Sequence, residues 1–263
     1  MRRTNYNDMA TYKKRGYKPK TQAEKTEALE DNSTTAEVFN TLDESASKTE
    51  EWAVENQKYI IGAVAVIAVV VLAYLGYNKF VAEPKASEAM NEMFTAQQYF
   101  ERAVNDTNAK DSLYTLALNG GEGKFGMLDI INEYGGTPAA NLANYYAGMA
   151  YYNLNDYQNT VKFLGDFSSD DKILAPIAKG RIGDAFVQLN QPEDALSYYE
   201  KAASLNDNDY TTPMYLFKAG TVALTLGKQE KALDHFKSIK ENYPNSNEAS
   251  NIDVFIGQAQ ASL

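Results

Sequence analysis

Hydrophobic and polar positions divide the chain into stretches of different texture. Residues 1–35 are polar, basic first and then acidic in EKTEALEDNSTT, with almost no aliphatic side chains, a composition that predicts a disordered arm. From 36 to 58, Val38, Leu42, Ser45, Thr49 and Trp52 recur at alternating spacings of four and three, predicting a helix with a weak apolar seam. The seam fits either a helix lying near a membrane or one that docks a partner. Between Tyr59 and Asn78, YIIGAVAVIAVVVLAYLGYN carries no charge and holds ten Ile, Val or Leu residues. Pro84 then opens a run of amphipathic segments, the first of which places Ala89, Met93, Ala96, Phe100 and Val104 on one side. No stretch sustains a period of two. The expected class is all-α, with one transmembrane helix followed by a helical array.

The uncharged segment matches a bilayer in length, since a helix needs about 20 apolar residues to cross the hydrocarbon core. At about −0.3 to −0.6 kcal/mol each, its ten aliphatic residues supply about −3 to −6 kcal/mol toward insertion. Trp52 and Tyr59 on one side, and Tyr74, Tyr77 and Phe80 on the other, stand where an aromatic belt belongs, and Lys58 and Lys79 bracket the span. A span over 59–80, in contact with the lipid bilayer, is therefore expected. It does not read as a cleaved signal peptide, which starts near the first residue, has an apolar core of about 7–15 residues and ends in small residues. Arg2, Arg3, Lys13, Lys14, Arg15, Lys18, Lys20 and Lys25 precede it, whereas only Lys79 and Lys85 follow it before Arg102. That bias predicts a cytoplasmic N-terminus, although Asp43, Glu44, Glu50, Glu51 and Glu55 lie nearer the span on the same side.

Beyond the span the informative signal is a repeat. With Gly148, Gly183 and Gly220 in register, a helix-turn-helix unit recurs after 35 and then 37 residues. Three residues after each glycine stand Tyr151, Phe186 and Ala223; twelve after, Thr160, Ala195 and Ala232; sixteen after, Leu164, Tyr199 and Phe236. Pro244 closes the third unit. This resembles the tetratricopeptide-repeat (TPR) pattern, in which a small residue lets the two helices of a unit touch and an aromatic beside it fills the gap between units. Thr160 departs from it, standing where the other units have alanine. Repeats are expected at about 141–174, 176–209 and 213–246 of a helical domain covering 84–263. Stacked units bury a core only against neighbours, so the segments 84–134 and about 247–261 are expected to cap the array.

Composition narrows the chemistry. Cysteine is absent, which excludes disulfides, thiolate metal sites and a cysteine nucleophile. Against 35 acidic residues stand 25 basic ones, and a net charge of −10 argues against nucleic acid as a partner. The single histidine, His235, lies in a periodic stretch with polar outward positions and is expected at the surface. Gly121, Gly123 and Gly126 spell G-x-G-x-x-G, but a Walker A loop needs a glycine where Leu118 stands and a hydroxyl where Phe125 stands. A dinucleotide site needs an acid about 20 residues on, where the chain has only NLANYYA. These glycines are expected to form a flexible turn between helices. No catalytic residue, metal ligand or cofactor site is expected, and the chain does not read as an enzyme.

In the TPR arrays that the repeat resembles, the first helix of each unit lines the concave face. The resemblance places Leu142, Tyr145, Met149 and Tyr152 there, then Ile177, Asp184 and Val187, then Met214, Phe217 and Leu224. None of these is Lys or Arg, which disfavours a clamp for a terminal carboxylate and favours an apolar or unfolded polypeptide segment. The alternative is that another helix of the chain covers this face and these residues are core.

A short arm, one uncleaved span and such a domain resemble, over about residues 50–263, the YfgM-type family of ancillary subunits of the SecYEG translocon. The residues that carry the resemblance are Gly183, Ala195, Tyr199, Ala232, Phe236 and Pro244, and the N-terminal arm is longer than that family leads one to expect. It implies a single-pass protein of the bacterial inner membrane with a periplasmic C-terminal domain. Sec translocon subunits, membrane-anchored periplasmic chaperones and exported polypeptides would be its partners, and assistance to newly exported proteins its function. A different class of function, a passive scaffold bridging secretion, division or cell-wall components, fits the same architecture.

Overall fold

The computed structural model describes residues 52–106 and 108–261, which fall into two units divided between Tyr74 and Leu75. The arm expected at 1–35, and the helix expected at 36–58 up to residue 51, lie outside the described residues.

The main element of the first unit is helix α1 (Gln57–Tyr77), which is apolar on every side and has no buried residue. It belongs to a helical run with an 18-residue window of mean hydropathy 2.5, none of it buried. At 1.5 Å per residue its 21 residues are about 32 Å long, so by length and composition α1 is sufficient to cross a membrane.

The second unit is a succession of helices with no named strand among the described residues. A π-helical turn (Asn78–Ala82) leads into α2 (Glu83–Asn105), α3 (Lys110–Asn119) and α4 (Met127–Glu133). Three hairpins follow: α5 (Pro138–Asn153) with α6 (Tyr157–Asp166), α7 (Leu174–Gln188) with α8 (Pro192–Leu205), and α9 (Thr211–Thr225) with α10 (Gln229–Asn242). A 3₁₀ turn (Glu248–Asn251) and α11 (Ile252–Ala261) finish the described chain.

On α2 the buried line runs through Ala89, Met93, Ala96 and Ala103, a spacing that stays on one face. Val104, expected on that line, is 61% exposed instead, because one residue further on turns a side chain by about 100°. Helix α3 was not anticipated from periodicity. It starts where Asp106 accepts hydrogen bonds from the backbone of Asn108 and Ala109, and those bonds hold the Asp106 carboxyl below its ordinary range.

Between α3 and α4 the glycines serve a defined turn rather than a loose one. Glu122 and Gly123 both have positive φ, and the Lys124 amide donates to the Gly121 carbonyl at 3.0 Å. A Cβ on Gly126 would collide with the backbone of residues 118–120, so only glycine lets the chain close there.

The three hairpins are built alike. Each first helix ends seven residues past its register glycine in a left-handed residue: Asn155, Asn190 and Gly227, with φ of 61°, 57° and 68°. The next amide then reaches back to the carbonyl of Tyr151, Phe186 or Ala223, at 2.9, 2.9 and 2.8 Å. This closure satisfies carbonyls that a helix end leaves free and turns the chain for the return helix. Starts are set by side chains as well: Thr137 caps α5, Asp156 caps α6, and the Asp171 carboxylate accepts from the amides of Leu174 and Ile173 at the start of α7. A methyl group on Gly148, Gly183 or Gly220 would run into Leu164, Tyr199 or Phe236 of the return helix, which explains why glycine marks the crossing.

Candidate functional site

The candidate face is built from α5, α7 and α9, whose sequences repeat the same offsets from the register glycine. Six residues before it stand Leu142, Ile177 and Met214; four after it, Tyr152, Val187 and Leu224. Tyr145, Met149 and Phe217 occupy offsets between these. None of the nine is fully buried, and Val187 is 42% exposed.

Their surroundings differ. Tyr145 packs on the ring of Phe167, with centroids 5.2 Å apart, and Met149 lies against the same cluster around Leu164 and Ile182. Leu142 packs against the core that α2 to α5 share, whereas Met214 and Leu224 pack against the core of the last two hairpins. Phe217 makes edge contact with Phe255 of α11 at 4.7 Å and also touches Phe236, so the last helix covers part of it. Tyr152 stands edge-on to Tyr157 and offers its face to the Arg181 guanidinium, 4.4 Å from the ring centre.

Two cations overlooked by the sequence reading join this face. Arg181 and Lys218 both stand two positions before the register glycine, on the shoulder about 40° beyond the Ile177 and Met214 positions. They converge on Asp184, Arg181 through Nη1 at 3.1 Å and Lys218 through Nζ at 2.6 Å. The Tyr199 hydroxyl donates to the same carboxylate at 2.7 Å. Tyr215 lies across α7 where Gly180 leaves room, and its ring stacks on Tyr199 at 6.3 Å. Burial pushes both phenols well above their ordinary range, and the Asp184 charge pushes the same way, so both remain neutral and Tyr199 keeps the proton it donates. A face expected to lack Lys and Arg thus has a polar junction linking all three hairpins. The signal was legible: a basic residue at the same offset in two consecutive units.

A cleft of about 360 Å³ opens among Phe100 and Val104 of α2, Asp106 just after it, Lys110 and Tyr114 of α3, and Tyr145 and Met149 of α5. It extends the face past the first hairpin. The outward position of Val104 gives the cleft part of its apolar wall.

On the return helices, His235 is not the free surface residue expected. Its side chain is 17% exposed and its Nε2 lies 3.0 Å from the Glu200 carboxylate, which Lys231 also contacts at 2.8 Å. Partial burial raises the Glu200 pKa, but the hydrogen bonds and charges of Lys231 and His235 outweigh it, leaving the carboxyl below its ordinary value.

The arrangement holds and orients. Its one central carboxylate accepts from three partners, and its hydroxyls are phenols held neutral. Among the described residues no group of His, Cys, Asp or Glu side chains has the geometry of a metal site. Comparison with known families agrees with the repeated hairpins: residues 181–247 match the family model described as tetratricopeptide repeat. No curated protein matches the chain. The match covers most of the second and third hairpins, so these two helical pairs carry the tetratricopeptide-repeat pattern.

Proposed function

We propose that the protein is a membrane-anchored polypeptide-binding module, with the faces of α5, α7 and α9 forming a groove for an extended or partly folded chain. The observation that carries this reading is the recurrence of apolar and aromatic side chains at equivalent offsets of three consecutive first helices, none of them fully buried. Adaptable Met and Tyr contacts suit variable partners. The exposed apolar helix α1 supports an anchor, and the basic residues before it support a cytoplasmic N-terminus. On this reading the module faces the periplasm of a bacterial inner membrane. There it assists newly exported proteins beside the translocon, as the resemblance to YfgM-type subunits implies.

The test is site-specific photocrosslinking in native membranes, with the crosslinker at Val187 or at Tyr152. Adducts to a spread of exported polypeptides, together with co-purified translocon subunits, are the expected result. Adducts to one stoichiometric folded partner without translocon would replace this reading by a dedicated scaffold. Phe217 is a poor site for the purpose, because its contacts with Phe236 and Phe255 make it part of the fold.

A further inference from the structure

We infer that the groove reads an acidic side chain of its polypeptide, with a large apolar side chain of the same segment seated in the neighbouring cleft. The inference rests on the polypeptide-groove reading above and names what that groove selects.

Charge distribution is the first argument. The chain carries a net charge of −10, yet its acids avoid the first helices. Helix α5 has no charged residue, α9 has only Lys218, and α7 sets Lys179 and Arg181 against the single carboxylate of Asp184. At the junction two cations share one anion, so a positive charge is left over in a protein that is otherwise strongly negative. Extended segments with a carboxylate are drawn to such a place, and acid-free ones are not.

Arg181 is the second argument. A guanidinium has five N–H donors in a planar fork suited to carboxylates. Here Nη1 is engaged with Asp184, and Nε has no hydrogen-bond partner. The side chain is nevertheless 31% exposed, with its guanidinium over the Tyr152 ring and bonded to Asp184. The Nε edge is buried, so an incoming carboxylate meets the exposed part of the fork, which Asp184 already orients.

The cleft is the third. Tyr145 forms part of its wall and also lies within the field of Arg181, whose charge opposes the upward push of burial on the Tyr145 hydroxyl. Met149 and Asn153 of the cleft stand on α5 next to Tyr152, the ring that Arg181 covers, so cation and cleft share one stretch of that helix. At about 360 Å³ the cleft is at the small end of ligand-binding clefts; Phe100, Val104 and Met149 give it apolar walls, and Asp106, facing it with Lys110, favours an uncharged side chain there over the acid itself. An aromatic or large aliphatic side chain close in sequence to the acid fits this juxtaposition.

The experiment uses the full-length protein in lipid nanodiscs and labelled, N-acetylated extended peptides carrying one Phe near one Glu, with the C-terminus amidated. A Gln counterpart is made in two forms, amidated and with a free terminal carboxylate. By fluorescence anisotropy the amidated Glu peptide should bind about tenfold more tightly than the amidated Gln peptide, the scale of one charge-assisted hydrogen bond. Added salt should shrink that ratio. Arg181→Gln should bring it to within about twofold, and Arg181→Lys, which keeps the charge and loses the fork, should fall between. Equal binding of the two amidated peptides would overturn the inference and leave the polypeptide groove standing. Tight binding only of the free-terminus peptide would assign the site to chain ends and overturn it too. If Arg181→Gln weakens both peptides alike, Arg181 is packing and not recognition. Failure of every peptide to bind would remove the groove reading itself.

Discussion

The first hairpin and the two that follow reach the same geometry with different residues. In the second and third, the glycine crossing is filled by an aromatic ring, Tyr199 or Phe236, and the residue four before it is a buried alanine. In the first, Leu164 fills the crossing and Thr160 replaces the alanine, its hydroxyl donating to the Asp156 carbonyl at 2.9 Å. Yet all three have the same left-handed residue at the same offset and the same backbone closure. The family match covers 181–247, within the two aromatic hairpins, and stops short of the first. What a hairpin of this kind requires is a small residue facing a large one and a turn that accepts positive φ. Which large residue is used does not change the path of the chain.

This comparison can be broken at its strongest point first. Phe236→Ala should cost about 3–5 kcal/mol in urea unfolding, because the ring fills the Gly220 crossing and touches Phe217 and Phe255. Leu164→Ala should cost less, toward the lower part of the about 2–5 kcal/mol range for aliphatic truncation; an equal cost would show that aromatic filling does not set the hairpins apart.

Gly220→Ala is the converse change, pressing a methyl group into the Phe236 ring, and about 1–3 kcal/mol is expected from overpacking. Gly148→Ala should cost at least as much, since its methyl group would meet the Leu164 backbone nitrogen at 3.0 Å as well as Cγ at 2.5 Å, and a change of leucine rotamer does not move the main chain. Thermal unfolding of the two variants side by side decides the ranking.

Thr160→Ala, which makes the first hairpin like the others, should change stability by no more than about 1 kcal/mol. The Asp156 carbonyl keeps the Thr160 amide as a donor at 3.0 Å, so nothing buried loses its last partner. A larger loss would mean that the threonine hydroxyl is required there.

The smallest effect concerns the junction of the second and third hairpins, where Glu200 meets Lys231 and His235. The Glu200 carboxyl lies below its ordinary value of 4.5 in the folded protein, so its stabilisation is complete above that pH and disappears as pH falls through the lower folded value. The melting-temperature gap between the parent and Glu200→Gln should therefore be small near neutrality and close in acid. A gap that widens on acidification would reverse the sign of the contact.

Much of the fold was legible because it depends on residue size at fixed spacing. Gly148, Gly183 and Gly220 announce close crossings, and the residues sixteen positions on announce what fills them. The apolar run of α1 is legible for the same reason, since length and hydropathy need no partner to be read. Helix α3 was not, because ten residues bounded by a capping aspartate and a glycine turn give too short a period to count. The candidate face was legible at the offsets sampled, but Arg181 and Lys218 stand one shoulder away and were missed.

By itself the sequence determined the elements: an apolar helix long enough for a bilayer, helical hairpins in register, and the absence of thiol chemistry. Only the tertiary structure decided what those elements bring together. Asp184, Arg181, Lys218, Tyr199 and Tyr152 come from four helices of three hairpins, and their meeting depends on how the hairpins stack, which in turn depends on Tyr215 lying over Gly180. Periodicity records which side of a helix is apolar, because burial acts on each side chain separately. Convergence of charges is a property of several helices at once, set by the angles at which they pack, and no single stretch of sequence contains it.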